Sequence, residues 1–170
     1  MPKIGIIMGS KSDLGIAENV IEVIEDFGID YEVIVSSAHR TPERTSRWSK
    51  NAEQSGIEVI IAIAGAAAHL AGVVASETNL PVIAVPVAAT TLGGLDALLS
   101  MVQMPGGIPV ATMAIGAAGA KNAGIFACQI LSVKYPEINE KLRIYRQSIK
   151  DKVYKDNEIV QDMLQKRKEK

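Results

Sequence analysis

The chain has 170 residues, 48% hydrophobic but only 4% aromatic, and a formal net charge of −1. That length fits one domain with an aliphatic core, and the near-neutral balance offers no basic stripe for nucleic acid. The single cysteine, Cys128, excludes an intramolecular disulfide and a multi-cysteine metal site, and fits a reducing, cytoplasmic setting.

Ile4–Met8 is a short continuous apolar run, the pattern of a central parallel strand. The chain enters it directly from Pro2-Lys3, so no secretory signal is expected. Gly9-Ser10-Lys11-Ser12-Asp13 then opens a helix to about Phe27. Its apolar stripe is Ile16, Val20, Val23, Ile24 and Phe27, and Gly28 suits its C-terminal cap. Tyr31–Val35 predicts a second strand. Ser37-Ala38-His39-Arg40-Thr41-Pro42 follows it, with Thr41 expected to cap a helix from Pro42 to about Ser55. Val59–Ile63 predicts a third strand and Ala67–Glu77 a small-residue helix. Residues 57–75 are apolar, but Glu58 and His69 interrupt them and Gly65 splits them. A buried strand and helix are expected there, and no membrane span.

Pro81–Val85 predicts the fourth strand and Gly94–Met104 a helix that Pro105-Gly106-Gly107 breaks. Val110–Ile115 predicts the fifth strand, and a helix spans about Lys121–Val133 with Cys128 as buried filler. After Pro136, Ile138, Leu142, Tyr145, Ile149 and Val153 follow helical spacing, and Ile159, Val160, Met163 and Leu164 form a second apolar set. Such a helix folds back on its own domain or reaches onto a neighbouring subunit; the pattern leaves both open. Lys166 to Lys170 reads as a solvated tail. Strictly alternating strands and helices predict a flavodoxin-like three-layer αβα sandwich with a parallel sheet. Residues 1–135 form its catalytic, nucleotide-binding domain, and residues 136–170 a C-terminal helical extension of it.

Three predicted loops leave the carboxyl edge of that sheet, where open α/β sheets bind ligands. The first, Gly9 to Asp13, offers backbone N–H groups and the Ser10 and Ser12 hydroxyls to an anion, and Asp13 can accept from ribose hydroxyls. The second presents His39 and Arg40, a proton-transfer group beside a fixed positive charge. The third, Gly65-Ala66-Ala67-Ala68-His69-Leu70, holds the other histidine among residues small enough for a planar ligand to approach the backbone. The glycine spacings of a Walker loop or dinucleotide fingerprint are missing. Two histidines without a third ligand predict no metal, and no nucleophile elbow is present.

These loops, together with Val102-Gln103-Met104-Pro105-Gly106-Gly107-Ile108-Pro109-Val110, resemble the phosphoribosylaminoimidazole carboxylase catalytic-subunit family, in order over roughly residues 3–150. Arg40 and the His69 motif resemble its mutase branch; the direct-carboxylase branch usually has lysine where Arg40 stands. The resemblance implies purine synthesis, in which a carboxylate moves from the exocyclic nitrogen to ring carbon 4 of an aminoimidazole ribonucleotide. It implies His39 as the general acid/base and no cofactor. It implies a substrate-binding set of Gly9, Ser10, Ser12, Asp13, Ser37, Arg40, Gly65, Ala66, Ala68, His69 and Leu70. It also implies a cytoplasmic homo-octamer with sites near subunit boundaries. A direct carboxylase using free carbon dioxide, or a non-catalytic nucleotide-binding module, are the alternatives. Where the family commonly reads Gly-Gly-Ala-Ala-His-Leu-Pro-Gly, this chain has Ala66 at the second glycine and Ala71 at the proline.

Overall fold

The computed structural model describes residues 2–169; Met1 and Lys170, the ends of the two predicted segments, lie outside the described residues. Five parallel strands form one sheet in the order β2-β1-β3-β4-β5. They are β1 (Lys3–Met8), β2 (Asp30–Val35), β3 (Ile57–Gly65), β4 (Val82–Val87) and β5 (Ala111–Thr112). The helices are α1 (Leu14–Asp26), α2 (Pro42–Asn51), α3 (Leu70–Ser76), α4 (Leu95–Val102), α5 (Ala117–Ser132) and α6 (Pro136–Lys168). The predicted flavodoxin-like sandwich with an extra C-terminal helix is therefore the observed fold.

The core has two faces because side chains alternate across each strand. Ile4, Ile6, Ile61 and Ile63 face α1, α5 and the first turns of α6. Ile7, Ile60, Ala62 and Ala84 face the layer of α2, α3 and α4. Cys128 is fully buried on the first face, and burial pushes its thiol up to about 12. Glu58, which interrupts the apolar run of β3, sits near the strand's start. There Lys134 and the Tyr135 hydroxyl reach it at 2.9 and 2.6 Å. Gly28 ends α1 as expected, with φ +63, its N–H on Glu25 and the next on Ile24.

Several boundaries depart from the pattern. The predicted strand Val110–Ile115 contracts to Ala111–Thr112. Pro86 in β4 gives its carbonyl to Gly116 but has no N–H for the same side, so the ladder stops. The predicted helix from Ala67 starts only at Leu70. Tight turns from Ala68 to Ala66 and from His69 to Ala67, each 2.8 Å, hold residues 66–69 out of it. α2 ends at Asn51, and turns wind on to Gly56 at φ +83. α5 begins at Ala117 rather than near Lys121. Gly116 at φ +81 turns the chain into it. α6 is one helix of 33 residues, about 50 Å long. Of its apolar positions, Ile138 and Leu142 are buried. Tyr145 meets Phe27 edge-on at 5.9 Å, and Lys141 gives its ammonium to the Phe27 carbonyl at 2.6 Å. Fold-back thus holds only for the first turns; Ile149, Val153, Val160 and Leu164 are exposed. Among the described residues, no helix is long and apolar enough to cross a membrane.

The start of α5 passes so close to the chain before it that a Cβ at Gly119 would overlap the Ala114 carbonyl. Gly119→Ala should lower stability by about 1–3 kcal/mol, read as a lower urea midpoint at unchanged slope. An unchanged midpoint would mean that this contact yields without cost.

Candidate active site

The loops after β1, β2 and β3 meet around one cavity of about 340 Å³ at the carboxyl edge. The first loop is built by a reciprocal cap. The Ser10 N–H donates to Asp13 Oδ2 at 3.1 Å, and the Ser12 N–H donates to Ser10 Oγ at 3.3 Å. This closes a single 3₁₀ turn, Lys11–Asp13, ahead of α1. Ser10 caps the 3₁₀ turn with its side chain, and Asp13 stands at the N-cap of α1 without a side-chain cap bond. Asp13 is only 4% exposed, yet the residue is part of the cavity lining.

The second loop hangs on hydroxyls. Ser37 Oγ accepts from the His39 N–H at 2.9 Å. Thr41 Oγ1 accepts from the Ser37 N–H and donates to the Ser37 carbonyl, both at 3.1 Å. Thr41 therefore does not cap α2 with its side chain as expected; its hydroxyl closes the loop on Ser37, leaving the helix start to Pro42. Behind it, Ser36 Oγ lies 2.8 Å from Thr45 Oγ1, and both residues are buried. Neither belongs to the sequence-predicted set. Their signal was faint: two hydroxyl residues nine apart, both facing inward across a strand and a helix.

His39 and Arg40 are thereby presented on an exposed rim. His39 Nε2 lies 3.1 Å from His69 Nδ1, with the rings edge to face at 5.2 Å. One of these nitrogens must carry the hydrogen and the other the lone pair, so the tautomer of one ring sets that of the other.

Gly9, Ser10, Ser12, Asp13, Ser37, His39, Arg40, Gly65, Ala66, Ala68 and Leu70 all line the cavity. His69 does not; it faces an adjoining groove of about 440 Å³ with Gly72, Ser100, Gln103 and Met104. It reaches the cavity through His39. A further recess, of about 330 Å³, shares Gly9, Ser10, Ser37 and Arg40 and adds Lys11. The sequence reading missed Ala89 on the wall. Ala89 follows β4 on the same edge, and the strand-end rule that flagged the other loops applies to it equally. Gly65 admits it: a Cβ there would lie 2.5 Å from the Ala89 Cβ. Among the described residues, no group of three or more His, Cys, Asp and Glu side chains is placed to hold a metal ion.

Burial pushes the Asp13 carboxyl above its usual range, against the hydrogen bonds from Ser10 and Ser12 that favour the charged form. A carboxyl raised in the folded state binds more protons there than in the unfolded chain. Its contribution to stability is therefore lost as pH rises from the unfolded pKa through the folded one. Asp13→Asn keeps an acceptor for the Ser10 N–H and removes that loss. The variant should gain melting temperature over the parent at pH 7 but not at pH 3. A gain of the same size at both would exclude ionisation as the cause.

A sequence profile described as AIR carboxylase matches residues 3–152. The N5-carboxyaminoimidazole ribonucleotide mutase of Thermotoga maritima is 60% identical over 153 residues, covering 90% of this chain and 88% of that protein. The protein of the same name from Pyrococcus abyssi is 60% identical over 150 residues, covering 88% and 85%. Among solved structures, Treponema denticola PurE matches with a TM-score of 0.84 at 32% identity, covering 92% of this chain and 97% of that one. The chain belongs to the AIR carboxylase family.

Proposed function

We propose that this member of the family is an N5-carboxyaminoimidazole ribonucleotide mutase of purine biosynthesis. It moves the carboxylate of its substrate from the exocyclic nitrogen to ring carbon 4. The observation that carries the chemical reading is the meeting of His39 and Arg40 with the Ser10–Asp13 loop around a single cavity. Mutase names on relatives of 60% identity support the choice of substrate.

In this reading Ser10, Ser12 and Arg40 hold the phosphate, and Asp13 accepts from ribose hydroxyls. The reacting ring then lies against the loop Gly65–Ala68, within reach of His39. The His39 imidazolium gives a proton to the carbamate nitrogen. The nitrogen–carboxylate bond breaks, releasing carbon dioxide and leaving an electron-rich aminoimidazole. Carbon 4 attacks the carbon dioxide, and the imidazole takes back the proton that carbon 4 must lose. Protons balance over the cycle, so one histidine serves both halves. With Nε2 turned to His69, Nδ1 is the nitrogen that meets the substrate. Nε2 keeps its hydrogen in both states of the cycle, and the lone pair of His69 Nδ1 accepts it. The enzyme's further task is to keep ring and carbon dioxide together, a proximity effect.

The same reading takes the chain to be cytoplasmic and a homo-octamer. The apolar positions that α6 leaves exposed, among them Ile149, Val153, Val160 and Leu164, support a neighbouring copy as their cover. Light scattering of the full chain should give a mass near eight protomers. A fully active monomer would refute the assembly.

His39→Asn keeps polarity and approximate size but cannot shuttle a proton. It should lower turnover by about 10²–10⁴-fold while ribonucleotide affinity, read by calorimetry, stays within a few-fold. Near-normal turnover would remove His39 from the acid/base role. The substrate assignment is tested by supplying the carbamate with and without bicarbonate. Conversion without bicarbonate is expected; a strict bicarbonate requirement would indicate a direct carboxylase.

A further inference from the structure

Ser36, Ser37, Thr41 and Thr45 link α2 to the loop that carries His39, and each hydroxyl has one hydrogen to give. The Thr41 hydroxyl donates to the Ser37 carbonyl at 3.1 Å and accepts the Ser37 N–H at the same distance. Ser37 Oγ in turn accepts the N–H groups of His39 and Arg40, at 2.9 and 3.4 Å. Thr41 therefore closes the loop, and Ser37 sets the backbone at both site residues. Ser36 Oγ lies 3.3 Å from the same Thr41 oxygen and competes for it. Ser36 is only 2% exposed, so its hydrogen must find a protein acceptor rather than water. Thr45 offers the nearer one. It is fully buried on α2, with Oγ1 2.8 Å from Ser36 Oγ. Its own hydrogen goes back to the Thr41 carbonyl at 3.3 Å.

We infer that Thr45 is a positioning residue for His39: by taking the Ser36 hydrogen it leaves the Thr41 hydroxyl to Ser37. The inference rests on the mutase reading, in which His39 moves the proton. Thr45 itself does not line the cavity. Without its hydroxyl, the Ser36 hydrogen turns to Thr41. A buried donor draws that oxygen from 3.3 Å toward the usual hydroxyl separation of about 2.8 Å. The displacement passes through Ser37 to the backbone at His39. Proton transfer loses rate steeply when its groups are misplaced on that scale. Attraction of a phosphate to the Arg40 charge tolerates it better. Removing the Ser36 hydroxyl as well removes the competitor and returns Thr41 to Ser37.

The experiment reads kcat and KM of the full chain for the carbamate, with circular dichroism as the check of folding. Thr45→Val exchanges the hydroxyl for a methyl of similar size. It should lower kcat at least about fivefold and raise KM less than about twofold. Thr45→Ala removes the hydroxyl without adding a methyl and should show the same loss, so either variant decides. Thr45→Ser keeps the hydroxyl, Ser36→Ala removes the competitor, and each should stay within about twofold of the parent kcat. The double variant Ser36→Ala/Thr45→Val should also return to within about twofold, although it lacks both hydroxyls. A role in packing alone would leave it no better than Thr45→Val. Near-parental kcat in both hydroxyl-free Thr45 variants, a loss confined to KM, or a double variant no better than Thr45→Val would each overturn the inference while leaving the mutase reading intact. A parent chain that converts no carbamate would overturn the mutase reading, and this inference with it.

Discussion

The constraint on which the site depends is the place of β1 between β2 and β3. Met8 pairs with Val35 on one side and Ile63 on the other. Two hydrogen bonds carry this pairing past the strand ends: Gly9 N–H to the Ile63 carbonyl at 3.0 Å, and Ser36 N–H to the Met8 carbonyl at 2.9 Å. Three loops thus leave the sheet at one level and start within hydrogen-bonding reach of one another. A slip of one residue would turn every buried side chain of the strand to the wrong face, so the hydrophobic core itself enforces the alignment. The cavity exists because the strand order reverses direction at β1.

Position along the sheet normal is set separately. Trp48 of α2 lies over Gly5, where a Cβ would come within 2.9 Å of its ring. Its indole N–H donates to Glu32 at 2.8 Å, and Lys3 reaches the other oxygen of that carboxylate at 3.0 Å. Both bonds hold the Glu32 carboxyl below its usual range, the indole first. α2 is thereby pinned close to the sheet. The loop carrying His39 is strung between that helix and β2, with the buried Ser36–Thr45 hydroxyl pair behind it. A proton-transfer group on a loop is placed accurately only if the shell behind it is fixed, and here that shell is hydroxyl bonds and a packed indole.

Much of this was legible in the sequence because its signals are local. Continuous apolar runs mark buried parallel strands, and Gly28 stops α1 where positive φ is needed. The loops after β1, β2 and β3 then follow from strand order alone. What escaped depends on partners distant in the chain. The length of β5 was decided by a missing N–H on Pro86 in another strand. The start of α3 was decided by the turns at Ala66–His69, which Ala-rich composition disguises as helix. Thr41 looks like a cap until the Ser37 backbone competes for its hydroxyl. His69 belongs to the site through His39, a contact between loops that no spacing encodes.

The cavity that results has two kinds of wall, and the contrast limits what each can hold. The loops after β1 and β2 bring serine hydroxyls and Arg40 to its lining, and the loop after β3 brings alanines. A charged phosphate is stabilised only at the first. Asp13 complicates that side, because a carboxylate repels phosphate. Its burial and its bond from the Ser10 N–H hold it against the loop, while Lys11 and Arg40 border the adjoining recess. Donors rather than anions suit a position beside a carboxylate, and the sugar hydroxyls of a ribonucleotide are such donors. On the proposed reading the nucleotide therefore enters with its phosphate outward against the cations, its ribose on Asp13, and its base carried past the polar wall to the alanines beside His39. On that reading, the order of polarity along the cleft sets the orientation in which the ring would reach His39.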